Sequence, residues 1–287
     1  MSSSIFLTGS TGNIGRHLVK LFSEKGVSVR CAVRSKVKVA PLKLPDIEWV
    51  EADFDKSESF DSALKGIERL FVLSPFLPTP AEMSNDLVDR AKKAGVKHIV
   101  RLSAVGANPN GKLSLAKWQG NAEKHIQASG LAWTILRPTF FMENILNNFS
   151  GSIKAQGKYY VPHGSGKAPY IAARDIAGVA YEALTGSGHE GKIYELSGPQ
   201  SLSDYDIAEI LSRVAGKNVE YVDVPENAAR QSMIGMGMPE WMVSCIMELN
   251  SIVKQGWTAN VLSTIKDIVG VDSTTFDQWA REHQNSW

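Results

Sequence analysis

The chain is poor in cysteine: 287 residues carry two, Cys31 and Cys245. They stand far apart in apolar patterns, which argues against a disulfide framework or a thiolate metal site and predicts two reduced core thiols. Charge imbalance is lacking as well. Thirty-one basic residues face 30 acidic ones for a net charge of +1, so nothing in the charge favours a nucleic acid or a membrane surface as partner. No apolar run reaches the roughly 20 residues of a membrane-spanning helix. Met1-Ser2-Ser3-Ser4 has neither the charged nor the apolar region of a secretory signal, and the expectation is a cytoplasmic protein. No His/Cys cluster has metal-ligand spacing, no Ser-His-Asp order suggests a hydrolase, and repeats and low-complexity linkers are missing. A hydrophobic content of 43% and a charged content of 21% are ordinary for a globular chain of one large or two small domains.

What is present is concentrated near the start. Ile5-Phe6-Leu7 leads into Thr8-Gly9-Ser10-Thr11-Gly12-Asn13-Ile14-Gly15, and apolar residues then recur at Ile14, Leu18, Val19 and Phe22. That is a strand, a glycine turn and the N-terminus of an amphipathic helix. Such a turn aims backbone N–H groups and the positive end of a helix dipole at one point, which suits a phosphate. Gly9 is expected to permit the turn, Gly12 to let a pyrophosphate approach, and Gly15 to let helix and strand pack closely. A P-loop does not fit: the glycine spacing is one residue too long, and Arg16-His17 stands where Lys-Ser/Thr is required.

Strands and helices alternate from there on. The runs Val27 to Val33, Glu48 to Val50, Leu70 to Leu73, His98 to Leu102 and Trp133 to Leu136 read as strands. Between them, helices are expected over about Ser57 to Lys65, from Thr79-Pro80 to Gly95, and over about Ser114 to Ser129. Apolar strands alternating with helices predict an α/β, doubly wound parallel sheet with helices on both faces. Residues 1–150 are expected to form this nucleotide-binding domain and 151–287 a smaller mixed α/β region, with parts near 170–198 rejoining the first. In the second part, Lys158 to Val161 and Lys192 to Leu196 read as strands. Arg174 to Leu184 and Ser203 to Val214 read as helices, and Pro225 to Lys254 as one methionine-rich helical stretch.

Ligands in such sheets bind at the carboxyl ends of the strands. Gly9 to Gly15, Arg34, Asp53-Phe54, Leu73-Ser74-Pro75, Ser103-Ala104 and Pro138-Thr139-Phe140 therefore outline a cofactor groove. The residue ending the second strand reads the adenosine ribose: an acid accepts from the 2′-hydroxyl of NAD, a base accommodates the 2′-phosphate of NADP. Here it is Arg34, with Lys36 and Lys38 beyond and no acid from Val29 to Val39. A guanidinium binds a phosphate bidentately where a carboxylate would repel it, so the groove is read as preferring NADP(H) over NAD(H).

Thr8 to Gly15, Val33-Arg34, Gly130-Leu-Ala-Trp-Thr-Ile-Leu-Arg-Pro138 and Phe140-Phe141-Met142-Glu143-Asn144 resemble the NmrA-like group of atypical short-chain dehydrogenases/reductases. Asp175-Ile176-Ala177 and Tyr194-Glu-Leu-Ser-Gly198 fit the same group. Within it the chain is most similar to members that reduce triphenylmethane dyes and quinones, and also to reductases of ergot alkaloid pathways. The resemblance implies a Rossmann sheet holding NADP(H) and a small C-terminal domain over the nicotinamide end. It assigns the glycine turn to the pyrophosphate, Arg34 to the 2′-phosphate and Asp53-Phe54 to the adenine. It assigns Leu73, Ser74, Pro75, Ser103, Ala104, Pro138, Thr139 and Phe140 to the nicotinamide ribose and ring.

Ordinary short-chain dehydrogenases pair a tyrosine with a lysine four positions later, and extended members place a glutamate four residues beyond. Anchored on Glu123, those positions hold Leu115 and Gln119, and no Tyr-x-x-x-Lys occurs from Leu102 to Arg137. Lys117, Gln119 and Ser103 are the remaining catalytic candidates, none at the usual offsets. Asn144, Tyr160, Tyr170, Met238 and Trp241 are substrate-site candidates; thioethers repack easily against aromatic rings, though a helical core explains the methionines equally well. Chemistry that needs the tyrosine, such as epimerisation, is disfavoured. Hydride delivery to a small, already electrophilic acceptor (a quinone, a cationic dye, an imine or an azo group) stays feasible. The competing reading is a non-catalytic NADP(H) sensor that relays its state to a protein partner. The expected partner is a small-molecule substrate, with a homodimer left open.

Overall fold

The computed structural model describes residues 4–39, 44–77, 80–257 and 259–287; the side chains of Lys38 and Pro80 are not described. Thr79, read as a helix cap, and the Lys38 side chain thus lie outside the described residues. In chain order come β1 (Ile5–Leu7), α1 (Asn13–Glu24), β2 (Val29–Val33), β3 (Ile47–Glu51), α2 (Ser59–Ala63), β4 (Arg69–Val72), α3 (Pro80–Ala94), β5 (His98–Leu102), α4 (Ser114–Ala128) and β6 (Ala132–Pro138). α5 (Met142–Gln156), β7 (Lys158–Val161), β8 (Lys167–Ala168), α6 (Ala173–Thr185) and β9 (Lys192–Leu196) follow. The chain continues with β10 (Leu202–Ser203), α7 (Asp204–Ala215), β11 (Glu220–Asp223), α8 (Glu226–Gly235), α9 (Glu240–Lys254), α10 (Thr264–Val269) and α11 (Phe276–Glu282).

Seven strands form one sheet in the order β3-β2-β1-β4-β5-β6-β9, and the pairings from β3 through β6 are parallel. The order reverses beside β1, where the chain stops adding strands toward β3 and starts again at β4. This is the expected Rossmann-like, doubly wound sheet, with the ligand crevice of such folds at the carboxyl end of β1. Ile5 to Leu7, Leu70 to Val72 and His98 to Arg101 are buried throughout, as strands covered on both faces must be. The α1 face made of Ile14, Leu18, Val19 and Phe22 is also buried. Each such side chain contributes about 1.5–3 kcal/mol on burial.

The chain divides into two compact units, residues 1–137 with 176–194 and residues 138–175 with 195–287. The expected boundary near 150 falls inside α5, a helix that the sequence reading did not foresee. Met142, Ile145 and Ile153 of α5 join Tyr159, Ile207, Leu211, Phe276 and Trp279 in the second unit's core, which assigns the helix there. Most of α6 returns to the first unit. Arg69 donates to the carbonyls of Leu184 and Gly186 at 2.8 Å each, and a cation at a helix C-terminus satisfies unpaired carbonyls and opposes the dipole.

The second unit pairs β7 with β11 in parallel and β8 with β10 antiparallel. Two of its helices start on capping boxes, Ser203 with Asp206 for α7 and Thr275 with Gln278 for α11. The stretch from Pro225 to Lys254, expected to be helical, forms two helices, α8 and α9. Gly237 adopts φ +80°, Met238 N–H reaches back to the Met233 carbonyl at 3.1 Å, and Pro239 caps α9. A left-handed glycine followed by proline is a helix stop. No helix among the described residues is long and apolar enough to cross a membrane, and Cys31 and Cys245 are buried and form no disulfide.

His98 begins β5 with its ring buried. Its Nε2 lies 2.9 Å from Thr134 Oγ1, whose own proton goes to the His189 carbonyl at 2.7 Å. His98 must therefore donate from Nε2, and its buried Nδ1 has no partner. A second proton would find no acceptor there, and burial holds the imidazole below its ordinary 6.5. The stability this neutral ring supports is complete above about pH 6.5 and is lost as pH falls toward the depressed folded value. The thermal midpoint should fall between pH 7 and pH 5, and His98→Asn, which donates without titrating, should flatten that fall; equal slopes in both proteins would exclude His98 as the cause.

Candidate functional site

The turn after β1 is built from what its side chains avoid. Gly9 has φ +66°, a left-handed conformation costly for other residues. A Cβ on Gly15 would lie 2.0 Å from the Gly9 carbonyl oxygen and 2.7 Å from Ser10 backbone atoms. Gly15 thus makes room for the turn itself, a closer constraint than the helix–strand packing expected of it. Gly12 donates to the Gly9 carbonyl at 3.0 Å and serves as the N-cap of α1. No side chain caps this helix and no acid lies in its first turn, so its positive end and leading N–H groups stay available to an anion.

The side chains of the turn sort by task. Thr8 is buried; its Oγ1 accepts from Leu73 N–H at 2.8 Å and lies within 3.2 Å of the Phe71 and Leu73 carbonyls. It latches β1 to the end of β4. Ser10 turns inward to the Leu7 carbonyl at 3.1 Å, beside Cys31, whose thiol burial pushes up to about 12. Thr11 and Gly12 are exposed, Asn13 is half-buried and Ile14 is core. Of the turn, therefore, Gly9, Thr11, Gly12 and Asn13 offer surface, while Thr8, Ser10, Ile14 and Gly15 hold the shape.

Around the turn, Arg34 and Lys36 are exposed just beyond β2. Lys36 N–H is held by the Glu51 carboxylate at 3.0 Å, which fixes this loop against β3. Asp53 spends one oxygen on Asp55 N–H, and Phe54 packs edge-on against Phe60 with centroids 5.1 Å apart. Leu73, Ser74 and Pro75 are half-buried, with Leu73 lying over Gly9. All of these belong to the first unit, as do Ser103 and Ala104. Pro138, Thr139 and Phe140 belong to the second unit. There Thr139 is buried and donates to the Pro169 carbonyl at 2.6 Å.

A buried charge cluster joins α4 to β5 and β6. Glu123 on α4 is buried and accepts the Ser103 hydroxyl at 2.5 Å and Arg137 at 3.0 and 2.5 Å. Arg101, wholly buried one strand pleat before Ser103, donates to Ser84 at 3.4 Å. Burial draws its guanidinium down to about 10, against the attraction of Glu123. Ser103 is 4% exposed with its proton committed to Glu123, which leaves it no proton to give. Leu115 and Gln119 are half-buried on α4, and Lys117 is exposed. Arg101 and Arg137 were not foreseen, although an arginine inside or ending an apolar strand is itself a signal of a buried partner.

Of the substrate candidates, Tyr170 is a core residue, 4% exposed, with its ring against Phe140. Burial raises its hydroxyl well above the ordinary tyrosine range. Tyr160 is exposed and donates to Gln156 at 2.9 Å, and Asn144 is exposed on α5. Met238 and Trp241 are half-buried around the α8–α9 break. No group of three His, Cys, Asp or Glu side chains placed to hold a metal occurs among the described residues.

Fold and turn together define a doubly wound α/β protein with a phosphate-type helix terminus at its strand-order reversal. The NmrA-like family profile matches residues 1–279, and the chain belongs to that family. It is similar to an NAD(P)H azoreductase of Xenophilus azovorans, 37% identical with 97% of each chain covered. Among solved structures it is similar to an NADPH-dependent quinone oxidoreductase of Escherichia coli complexed with NADPH: TM-score 0.86, 27% identity, covering 97% of this chain and 99% of that one. The Citrobacter triphenylmethane reductase complexed with NADP(H) shares the fold at a TM-score of 0.86 and 24% identity, covering 98% of this chain and 100% of that one.

Removing one member of a buried ion pair strands the other's charge and costs about 3–5 kcal/mol. Glu123→Ala should therefore lower the unfolding free energy by that amount in urea titrations; a change below 1 kcal/mol would mean that water already compensates the two arginines.

Proposed function

We propose that the protein is an NADPH-dependent reductase that delivers hydride to a small electrophilic aromatic, quinone-like, azo or imine-type acceptor without a Tyr-x-x-x-Lys proton donor. The observation that carries this reading is the uncapped N-terminus of α1 above an exposed Thr11-Gly12 edge, with Arg34 and Lys36 one strand away. The residues fit the group: the missing Cβ atoms leave a backbone cradle for a pyrophosphate, and the adjacent cations match a 2′-phosphate. The names of the relatives, an azoreductase and a quinone reductase among them, support a reductase that uses a nicotinamide cofactor.

The glycine turn would hold the pyrophosphate, Arg34 with Lys36 the 2′-phosphate, and Asp53-Phe54 the adenine edge. Leu73, Ser74, Pro75, Ser103 and Ala104 would line the nicotinamide half. When bound, a reduced nicotinamide supplies hydride. The acceptor gains two electrons and one proton in that transfer and takes a second proton from solvent water, since Leu115 has none to give and Ser103 has committed its own. Positioning then does most of the catalysis. Met238 and Trp241, at the α8–α9 break, are proposed to contact a flat acceptor, because thioether and indole surfaces adapt to rings. Two buried cysteines outside any disulfide and near-neutral charge suit a cytoplasmic enzyme with small-molecule partners.

Arg34→Ala should raise the Kd for NADPH by tenfold or more, about 1.5 kcal/mol for a charge-assisted contact, and leave NADH binding unchanged. The wild-type protein should oxidise NADPH faster than NADH with a quinone, an azo dye or a cationic triphenylmethane dye. Tight NADPH binding with no turnover across that panel would overturn the catalytic reading in favour of a cofactor sensor.

A further inference from the structure

The first unit leaves an aromatic pair open at the carboxyl end of its sheet. Phe76 follows β4 by four residues and is 44% exposed. Its ring meets that of the half-buried Trp118 on α4 edge-on, with centroids 6.4 Å apart and planes at 69°. Among the described residues of this unit the large apolar side chains left exposed are Val37, Phe76 and Ile193, and of these only Phe76 carries a ring. The helices explain why the two rings meet. α3 and α4 join successive strands of the β4-β5-β6 run, and right-handed crossovers put both on one face of the sheet. Lys92 donates to the Ser129 carbonyl at 2.6 Å and His125 lies 2.8 Å from Asp89, pairs 37 and 36 residues apart that fix the register of the two helices. The same offset sets Trp118 beside the first turn of α3, at the end where both helices leave the carboxyl edge of the sheet.

Phe76 ends the stretch Leu73-Ser74-Pro75-Phe76, whose first member lies over Gly9. Three residues span about 10 Å at most, so the Phe76 backbone stays within that distance of the residue covering the glycine turn. Doubly wound sheets take their ligands at this end. We propose that Phe76 and Trp118 form the seat against which a planar acceptor stacks, and that they favour acceptors with fused or conjugated rings over single-ring ones. The assignment rests on the reductase reading above. The open face of Phe76 offers offset stacking, and Trp118, edge-on behind it, fixes the angle of that face. Stacking grows with the ring area covered, so a two-ring acceptor gains more from this seat than a one-ring acceptor bearing the same electrophilic group. Neither ring takes part in hydride or proton transfer; both act on how the acceptor binds.

The test is steady-state NADPH oxidation with two quinones, 2-methyl-1,4-naphthoquinone (two fused rings) and 2-methyl-1,4-benzoquinone (one ring). Phe76→Leu and Trp118→Leu keep apolar bulk and lose the ring. Each should raise KM for the naphthoquinone about threefold to tenfold, the worth of one aromatic contact, with kcat within about twofold of wild type. KM for the benzoquinone and the Kd for NADPH should stay within about twofold. Phe76→Tyr, which keeps the ring, should retain the wild-type preference. Unchanged KM values in both leucine variants overturn the seat, as does an equal rise for both quinones, which would mark a general distortion. A weakened NADPH Kd also overturns it, because the rings would then serve the cofactor. If the wild-type protein binds NADPH and oxidises it with neither quinone, the reductase reading itself fails and the seat falls with it.

Discussion

The rest of the first unit depends on the close approach of α1 to the turn that precedes it. Gly15 sits where any side chain would drive into the Gly9 carbonyl and the Ser10 backbone. Because that space is empty, α1 can start five residues after β1 ends and aim its leading N–H groups back over the sheet. Thr8 ties the end of β1 to β4 from below, so the turn is clamped at both ends. Its exposed edge is then rigid and polar, as an anion site requires. Of the three glycines, Gly9 takes the left-handed turn, Gly15 leaves room for the turn itself, and Gly12 faces out.

A second constraint lies at the end of β5. Glu123 accepts from Ser103 and from Arg137, and its charge also acts on the buried Arg101. These contacts tie α4 to β5 and β6 and commit the Ser103 proton. The same cluster explains why a motif reading centred on Leu115 found nothing: the polar residues are present, turned toward each other inside the unit.

Much of the first unit was legible because its central strands β1, β4 and β5 are largely buried and helices such as α1 are one-sided, so apolar runs and helical periodicity separate them. β5, β7 and β9 run over the residues expected of them, and Arg34 falls just past β2. What was not read was partly local. α5 was missed although Met142, Ile145, Leu146, Phe149 and Ile153 recur at helical spacing; this stripe packs against the neighbouring β7 and the distant α7 and α11. The break between α8 and α9 was local and readable in Gly237-Met238-Pro239, yet the methionine-rich pattern on both sides masked it. Tyr170 looked available as a ring near a turn, and only the packing of the second unit shows it enclosed.

The motifs that carry the family likeness beyond residue 138 are structural. Glu143 uses both carboxylate oxygens on Ala173 N–H, each at 3.1 Å, and so caps α6. Asp175, whose carboxyl burial raises, accepts from Thr274 N–H and hydroxyl at 2.8 Å each. Gly198 leaves room for the Tyr170 carbonyl, which a Cβ there would meet at 1.8 Å. These residues hold the second unit together whatever it binds, so likeness along their length reports the fold and says little about the acceptor. α8 differs: it has no buried residue, and its contacts to α9 include the exposed Glu226–Lys254 and Arg230–Glu240 ion pairs, interactions worth at most about 1 kcal/mol each. Substitutions of its exposed side chains therefore cost the fold little.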